Sequence, residues 1–309
     1  MRVAFFGSPA YAIPTLERLA LSHEIVLVVS QPDAPAGRGM TVKSPAVAQW
    51  ARAREVPLLQ PSRVRDAAFE DEFSTFQPDV AVTVAYGQIL PATLLAIPQH
   101  GFLNAHGSIL PELRGAAPIQ WALIRGFDET GVTIMTTDPG LDTGPIRLIR
   151  RLPISPDATA RELSDALSEL SASAMAEALD LLERGELPSL PQDDDAATYA
   201  PLLTKDDGNI RWTDSSTKIV NRFRGVALWP GSRFRFRDNW VRVGSLGSSD
   251  AVSDGGSPGT IVGINPAGVH VKVGDGAVCV VKVTPPGKSS LPADAWANAM
   301  GLRVGDDLA

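Results

Sequence analysis

The sequence predicts an α/β domain built on a mostly parallel sheet, followed by a small all-β domain. Over the first 150 residues, short apolar runs of strand length alternate with segments of helical periodicity. This alternation is typical of βαβ units, in which parallel strands are buried on both faces. After about Pro201, glycine-rich turns and short alternating runs replace that pattern. A chain of 309 residues is long enough for both domains.

The strands of the first domain are predicted from apolar runs, rich in β-branched residues, that end at turn residues. They are Arg2–Phe6, Glu24–Ser30, Asp79–Ala85, Gly101–Ala105 and Val132–Thr137. The spacing between the earlier runs leaves room for connecting helices, as parallel strands require.

Helices are predicted at Asp66–Phe76 and at Thr159–Arg184. In the second of these, Thr159 and Glu162 have the spacing of a capping box, and Gly185 provides a stop. Its apolar residues form one stripe of helical periodicity, made of Leu163, Leu167, Leu170, Ala174, Ala178 and Leu182. We expect this helix to pack on the sheet.

A proline-rich acidic stretch, residues 186–203, is predicted to be a linker between domains 1–185 and 204–309. The second domain contains strand candidates separated by short turns. These are Ser232–Arg237, Trp240–Val243, Gly259–Val262, Val269–Val273 and Val278–Val283. Closely spaced short strands predict a small barrel of the OB type, with Ser245–Pro258 as a flexible loop.

The formal net charge of −7 argues weakly against a general affinity for nucleic acid, but the charge is unevenly distributed. Residues 1–199 carry 15 basic and 25 acidic side chains, a balance of −10, whereas residues 200–309 carry 13 and 10, a balance of +3. The alternating run Arg233-Phe-Arg235-Phe-Arg237 should place three arginines on one face of a strand, where they can follow a phosphate backbone. Arg222 and Arg224 are expected to extend this patch. The second domain is therefore predicted to have an anionic partner.

Composition excludes several classes of protein. The single cysteine, Cys279, allows no disulfide within the chain and no cysteine-rich metal site, and no other residue spacing predicts a metal site. No apolar run approaches the length of a membrane-spanning helix, and the chain does not open with the basic and apolar regions of a signal peptide. We therefore expect a soluble protein of the cytoplasm.

The most informative segment is Asn104-Ala-His106-Gly-Ser-Ile-Leu-Pro111, at the end of a predicted strand. Asp142 follows in a second loop, between two glycines. Ligands of parallel α/β sheets bind beside the carboxyl ends of the strands, where Asn104 and His106 are predicted to lie. An amide, an imidazole and a carboxylate provide what acyl-type transfer needs, namely a donor to an oxyanion, a proton carrier and a group that orients the carrier. A loop histidine without function is the alternative.

A long loop, Ala34–Lys43, follows the second predicted strand and contains Arg38 between two glycines. Long loops in compact α/β domains are often functional. An arginine between two glycines is a mobile positive charge, which is suited to binding a phosphate group. A solvated insertion without function explains the loop equally well.

The sequence resembles that of the methionyl-tRNA formyltransferase family over nearly its whole length. The run Asn104–Gln120 is similar to the folate and catalytic loop of that family, and Thr133–Gly144 is similar to its second catalytic segment. Gln31–Gly39 resembles the insertion loop with which the family holds the acceptor end of tRNA. Tyr199–Lys205 and Leu228–Gly231 resemble segments near the start of its C-terminal domain.

This resemblance implies a Rossmann-like formyltransferase fold followed by an OB-like barrel that binds tRNA, in a monomer without a metal ion. It implies transfer of a formyl group from 10-formyltetrahydrofolate to the amino group of initiator methionyl-tRNA, for translation initiation. The implied catalytic residues are Asn104, His106 and Asp142. The implied folate site comprises Tyr86, Gly87, Gln88, Ile89, Leu90, Ser108, Ile109, Leu110 and Pro111. The implied tRNA contacts are Arg38, Lys43, Arg222, Arg224, Arg233, Arg235 and Arg237.

Other functions stay open at the level of the sequence. Formyltransferases that act on small amines, such as glycinamide ribonucleotide or amino sugars, share the Asn/His/Asp set, so this set predicts the reaction better than the acceptor. An RNA- or nucleotide-binding module without catalysis would not need the three groups. A dehydrogenase is disfavoured because the turn Gly7-Ser-Pro does not continue as the G-x-G-x-x-G fingerprint of dinucleotide binding.

Overall fold

The computed structural model describes residues 1–36, 41–251 and 255–308. The chain divides into two compact units. Unit 1 comprises Met1–Pro118, Glu129–Ile154 and Leu163–Ala200, and unit 2 comprises Ile119–Asp128, Ser155–Glu162 and Pro201–Ala309. Most of the predicted linker, residues 186–200, is therefore part of unit 1.

Unit 1 is built on a sheet of seven strands in the order β5-β2-β1-β6-β7-β8-β9. The strands of this unit are β1 (Arg2–Gly7), β2 (Glu24–Val29), β3 (Ala34–Ala36), β4 (Thr41–Lys43), β5 (Leu58–Leu59), β6 (Val80–Val84), β7 (Phe102–His106), β8 (Glu129–Thr136) and β9 (Ile146–Pro153). The pairs from β5 to β7 are parallel, and the β7–β8 and β8–β9 pairs are antiparallel. The predicted mostly parallel sheet is thus confirmed.

Strands β3 and β4 form a separate antiparallel hairpin after β2. Lys43, predicted to contact tRNA, lies exposed at the end of β4. Arg38, between the two strands, lies outside the described residues.

The helices of the first 200 residues alternate with these strands along the chain. They are α1 (Ile13–Ala20), α2 (Ala46–Ala53), α3 (Ala67–Thr75), α4 (Ala92–Leu95), α5 (Pro118–Ile124) and α6 (Ala160–Glu183). The bounds of α3 and α6 agree with the predicted helices to within one residue at each end. Both the backbone N–H and the hydroxyl of Thr159 donate to Oε2 of Glu162 at 2.8 Å, so the predicted pairing at the start of α6 is formed.

An aromatic cluster fills the core on one side of β1. Phe6 is fully buried, and its ring makes edge contacts with Phe73, Tyr86 and Phe102 at centroid distances of 5.6, 5.3 and 5.2 Å. Such contacts add to the free energy gained by burying apolar surface. The cluster therefore anchors β1, α3, β7 and the segment after β6 to one another.

We expect Phe6→Ala to lower the free energy of unfolding of unit 1 by about 3–5 kcal/mol, because the side chain leaves a cavity that the packed rings cannot fill. Urea denaturation followed by fluorescence measures this change. As a matched control, Leu21→Ala removes a side chain that is 80% exposed and should change stability by no more than about 0.5 kcal/mol. A similarly small change for Phe6→Ala would contradict the role of the cluster.

Unit 2 contains one antiparallel sheet in the order β10-β11-β14-β13-β12, with β15 beside β14. Its strands are β10 (Ser232–Phe236), β11 (Asn239–Ser249), β12 (Ile261–Asn265), β13 (Gly268–Lys272), β14 (Ala277–Thr284) and β15 (Leu291–Pro292), and its C-terminal helices are α7 (Ser216–Gly225) and α8 (Ala293–Ala299). Trp212, Phe234 and Trp296 lie in its buried core. The predicted antiparallel β domain is confirmed, but it also contains the helices α7 and α8, which the strand pattern does not predict.

The predicted loop Ser245–Pro258 is wrong in its first part. Ser245–Ser249 continues β11 and pairs with β14. Serine and glycine weaken the strand signal of this sequence, but pairing with a neighbouring strand determines the backbone conformation. Residues 252–254 of the predicted loop lie outside the described part of the chain.

Candidate active site

Asn104 and His106 lie on the same face at the carboxyl end of β7, because alternate residues of a strand point to the same side of a sheet. β6 and β7 are parallel neighbours in which Thr83 is paired with Asn104. The segments that follow these strands, residues 85–90 and 107–111, therefore begin side by side at the carboxyl ends of the two strands. In α/β sheets, ligands bind beside these carboxyl ends.

The imidazole of His106 is held between two oxygen atoms. Its Nε2 lies 3.0 Å from the carbonyl oxygen of Leu113, and its Nδ1 lies 3.6 Å from Oδ2 of Asp142. The side chains of His106 and Asp142 are 6% and 16% exposed, so both are largely shielded from bulk water. Because a carbonyl oxygen can only accept, Nε2 carries a hydrogen, and Nδ1 is the nitrogen left for proton exchange beside the carboxylate.

Asp142 reaches the imidazole by a route that the sequence pattern does not predict. β8 runs antiparallel to β7, with Thr136 beside Leu103. The carboxyl end of β8 therefore lies beside the amino end of β7. The loop after β8 has to fold back along the sheet to reach His106. At Asp142 the backbone is left-handed, with φ 54°, and Oδ2 accepts a hydrogen bond from the Gly115 N–H at 2.8 Å.

The amide of Asn104 is oriented by the neighbouring strand. Its Oδ1 accepts a hydrogen bond from the hydroxyl of Thr83 at 3.0 Å. The NH2 group is consequently the end of the amide that is left to donate to a ligand. Asn104 is half-buried on the face that it shares with His106, so its amide can present a donor to an oxygen atom held beside the imidazole.

The loop that follows β7 is shaped by Thr133 of β8. The Thr133 hydroxyl donates to the carbonyl of Ser108 at 2.7 Å and accepts from the Leu110 N–H at 3.0 Å. The hydroxyl of Ser108 donates to the carbonyl of Glu112 at 2.6 Å. Some of the backbone groups predicted to contact a cosubstrate are therefore engaged within the loop, and their contribution is to fix its shape.

The segment after β6 combines buried and exposed side chains. Tyr86 is 4% and Leu90 is 5% exposed, whereas Ile89 is 65% exposed. Burial raises the pKa of the Tyr86 hydroxyl, which has no hydrogen-bond partner among the described residues. The carbonyl of Tyr86 accepts from Nε2 of Gln31 at 3.0 Å. The tyrosine ring thus belongs to the core, and the exposed part of this segment is what can face a ligand.

Residues from the predicted linker also belong to the site. Gln192 and Thr198 form hydrogen bonds with the backbone of the loops that carry Asp142 and Leu113. The proline-rich acidic sequence around Gln192 and Thr198 is typical of a solvated linker, so these contacts are not predicted from the sequence. The one signal in the sequence is Arg114, because a charged residue so close to the loop after β7 requires a partner if it is buried.

In unit 2, the alternation predicted for Arg233–Arg237 is observed along β10. Phe234 is 1% and Phe236 is 8% exposed, and both lie in the core. Arg233 and Arg235 occupy the opposite face of the strand. Arg237 lies in the turn that follows β10, with a left-handed φ of 53°.

The same face contains a tryptophan that was not among the predicted contacts. Trp240 is 42% exposed and lies opposite Arg235 in the β10–β11 pair. The guanidinium of Arg233 lies 4.2 Å from the centroid of the Trp240 ring, and Arg242 is exposed two residues farther along β11. The period-two run Trp240-Val-Arg242-Val could have identified this surface. We call Arg233, Arg235, Trp240 and Arg242 the β10–β11 face.

Arg222 and Arg224, also predicted to contact tRNA, have partners within unit 2. Nη1 of Arg222 lies 3.4 Å from Oδ1 of Asp207, and the Arg222 side chain is 17% exposed. Nη2 of Arg224 donates to Oδ1 of Asn221 at 2.6 Å, and burial lowers the pKa of the Arg224 guanidinium. Both guanidinium groups thus contribute to the structure of α7 and its surroundings.

Metal ligands and membrane-spanning helices are both absent from the part of the chain that the structure describes. Within residues 1–36, 41–251 and 255–308, no group of three or more His, Cys, Asp or Glu side chains is placed to hold a metal ion. None of the helices in these ranges combines the length and the apolar character needed to span a bilayer.

The sequence is similar to known formyltransferases over both units. Residues 1–179 match the family described as Formyl transferase, and residues 202–301 match Formyl transferase, C-terminal domain. The methionyl-tRNA formyltransferase of Deinococcus radiodurans is 48% identical over 305 residues, which cover 98% of this chain and 94% of that protein. The methionyl-tRNA formyltransferase of Thermus thermophilus is 42% identical over 308 residues, which cover 100% of this chain and 99% of that protein.

Solved structures resemble the fold at lower identity. The sugar 3N-formyl transferase WlaRD, crystallised in the presence of dTDP and 5-N-formyl-THF, matches with a TM-score of 0.67 at 15% identity over 94% of this chain and 99% of that chain. HypX from Aquifex aeolicus, in complex with tetrahydrofolic acid, matches with a TM-score of 0.63 at 17% identity over 99% of this chain and 48% of that chain. At these identities the likeness establishes the fold alone.

Proposed function

Because the chain belongs to the methionyl-tRNA formyltransferase family, we propose that it transfers a formyl group from 10-formyltetrahydrofolate to the amino group of initiator methionyl-tRNA, for translation initiation. The observation that carries the chemistry is the convergence of Asn104, His106 and Asp142 at one end of β7. We propose that this amide NH2, imidazole nitrogen and carboxylate together face the formyl oxygen and the attacking amine.

The reaction forms a bond between the amine nitrogen and the formyl carbon, and it breaks the bond from that carbon to N10 of the folate. During attack by the amine, the formyl oxygen becomes an oxyanion. The proposed donors to this oxygen are the NH2 group of Asn104 and Nδ1–H of His106, in the form of the ring that carries a hydrogen on both nitrogens. Donors that are fixed before the reaction stabilise the developing charge without reorganisation, and each contributes several kcal/mol as an order of magnitude.

The proton balance assigns a role to Asp142. The attacking amine loses one proton, and N10 of the departing folate gains one. We propose that Asp142 accepts the amine proton, that Nδ1–H of His106 gives its proton to N10, and that Asp142 then passes the amine proton to Nδ1. Because Nε2 is occupied by the carbonyl of Leu113, the ring cannot rotate freely and proton exchange is confined to the Nδ1 side.

The proposed folate site lies across residues 85–90 and 107–111. Both segments begin at the carboxyl ends of neighbouring parallel strands, beside the proposed catalytic residues. Ile89 offers an exposed apolar surface to a planar ring, while Tyr86 and Leu90 anchor the segment in the core. HypX, a protein with this fold, has been solved with tetrahydrofolic acid, which supports a folate as the formyl donor.

The proposed tRNA surface includes the β10–β11 face of unit 2. Cations that follow a strand can neutralise successive phosphates, and an exposed tryptophan beside an arginine can stack on an unpaired base. Arg235 and Arg242 are exposed on this face, so their removal should leave the core of unit 2 intact. Lys43 and Arg38 of the insertion loop are further proposed contacts.

We expect Arg235→Ala combined with Arg242→Ala to weaken binding of methionyl-tRNA and to reduce the slope of log affinity against log salt by about 1 for each phosphate that is no longer neutralised. Filter binding over a range of salt concentrations measures both quantities. Arg303→Ala, which removes an exposed cation elsewhere in unit 2, is the matched control. An unchanged salt slope in the double variant would exclude this face as the phosphate-binding surface.

The acceptor is tested by offering the protein 10-formyltetrahydrofolate with either methionyl-tRNA or an amino sugar. We expect formylmethionyl-tRNA and no formylated sugar. Formylation of the sugar alone would contradict the proposed acceptor, and the absence of any product would contradict the proposed reaction.

We also propose that the protein acts as a monomer in the cytoplasm, where charged tRNA and folate are both available. Sedimentation equilibrium at micromolar concentration should give the mass of a single chain, and a dimer mass would contradict this proposal.

A further inference from the structure

Arg114 is a buried charge close to the catalytic residues for which the proposed chemistry has no use. Its side chain is 2% exposed. Its Nε and Nη2 donate to Oε1 of Gln192 at 3.0 and 2.8 Å, and Nη2 also contacts Oδ1 of Asp194 at 2.7 Å. Placing a charged group in the interior is unfavourable unless its hydrogen bonds are satisfied, and residues 192–194 provide acceptors for it here.

The other end of Gln192 points to the loop of the catalytic carboxylate. Its Nε2 donates to the carbonyl of Asp142 at 2.8 Å and to the carbonyl of Gly144 at 2.7 Å. One amide therefore connects the guanidinium of Arg114 to the backbone at Asp142. At Asp142 this backbone is left-handed, a conformation that a residue with a side chain adopts at a cost and that its surroundings must hold.

Residues that follow Gln192 hold the second partner of His106. The carbonyl of Thr198 accepts from the Arg114 N–H at 2.8 Å, and the hydroxyl of Thr198 accepts from the Leu113 N–H at 2.9 Å. Leu113 also has a left-handed backbone, with φ 59°, and its carbonyl accepts from His106. Gln192 and Thr198 thus hold the backbone of the two loops that carry the oxygen atoms on either side of the imidazole.

We propose that Gln192 is a positioning residue for formyl transfer, which holds the backbone at Asp142 and Gly144 so that the carboxylate stays beside Nδ1 of His106. This role rests on the proposed function, because it assigns Gln192 to the same site. Gln192 is 50 residues away from Asp142 in the chain. Its NH2 group and its amide oxygen are both engaged in connecting the two loops.

Two substitutions separate the two ends of this side chain. Gln192→Ala removes the acceptor for Arg114 and the donors to the Asp142 loop. Gln192→Glu keeps oxygen atoms for Arg114 but replaces the donors with an oxygen that faces the carbonyls of Asp142 and Gly144. We expect both variants to lower kcat by about 10- to 100-fold, since a misplacement of about 1 Å can cost about 100-fold, with KM for 10-formyltetrahydrofolate changed by less than about twofold. Asp195→Ala, an exposed change in the same segment, should behave as the unaltered protein.

Hydrogen exchange provides a readout of position that does not depend on activity. The Gly115 N–H donates to Oδ2 of Asp142 at 2.8 Å, so displacement of the carboxylate should expose this hydrogen. We expect faster exchange at Gly115 in both Gln192 variants and not in Asp195→Ala. Recovery of the original kcat in Gln192→Glu, a raised KM with unchanged kcat, or unchanged exchange at Gly115 would each overturn the proposal. If the unaltered protein does not formylate methionyl-tRNA while Gly115 responds as expected, the proposed function fails and the positioning role stands.

Discussion

Replacement of His106 by alanine is expected to lower the single-turnover rate of formyl transfer to methionyl-tRNA by about 100- to 1000-fold, the usual effect of removing one donor to an oxyanion. The variant lacks Nδ1–H, which is the proposed donor to the oxyanion and the proposed source of the proton for the folate. Rapid quenching of enzyme mixed with both substrates, followed by separation of formylmethionyl-tRNA, measures this rate without interference from product release.

The fold of the His106→Ala variant should persist. The imidazole makes one short hydrogen bond, to the carbonyl of Leu113, and other hydrogen bonds of that loop come from Thr133 and Thr198. Circular dichroism and the thermal transition therefore check that a fall in activity does not reflect unfolding. His100→Ala, an exposed histidine of unit 1, is the matched control. A single-turnover rate near that of the unaltered protein would remove His106 from the mechanism.

Asp142→Asn is expected to have an effect of similar size, about 100-fold or more on the single-turnover rate. The asparagine keeps an oxygen that can accept from the Gly115 N–H, so the loop geometry is retained while the negative charge is removed. Asp142→Ala removes both and should be at least as impaired. The difference between the two variants measures how much of the effect comes from the hydrogen bond to Gly115 and how much from the charge.

The control for this pair is Glu112→Gln, which neutralises an exposed carboxylate in the neighbouring loop. It should leave the rate unchanged within about twofold, because a solvated charge has little influence on the reacting atoms. If Asp142→Asn were as active as Glu112→Gln, proton transfer would have to use another group, and the assignment of Asp142 would be wrong.

The relation between Asn104 and His106 could be predicted from the sequence because it is local. Two residues separated by one position on a strand share a face, whatever the rest of the fold does. The position of Asp142 is not local. Its approach to His106 depends on the reversal of β8 relative to β7 and on the fold-back of the next loop, and apolar runs do not specify strand direction.

Residue composition predicts structure least well where a segment is held by pairing with a neighbouring strand or by contacts with residues distant in the chain. β9 contains Arg147, Arg150 and Arg151 among its apolar residues, and as an edge strand it is only partly buried, so no strand pattern is visible. Gln192 lies among prolines and acidic residues that favour solvation, yet its side chain is engaged with loops distant in the chain. Arginine-rich sequence likewise does not distinguish Arg235, whose side chain is 66% exposed, from Arg224, whose side chain is partly buried and donates to Asn221.

The division of the chain into two units bears on the order in which the protein can be completed during synthesis. The chain changes from one unit to the other at 118/119, 128/129, 154/155, 162/163 and 200/201. Residues 119–128 and 155–162 therefore leave the ribosome well before Pro201–Ala309, with which they form unit 2. Translation proceeds at about 5–20 residues per second, so a nascent chain ending just beyond Ala200 would contain every loop of the proposed active site while two segments still awaited the rest of their unit.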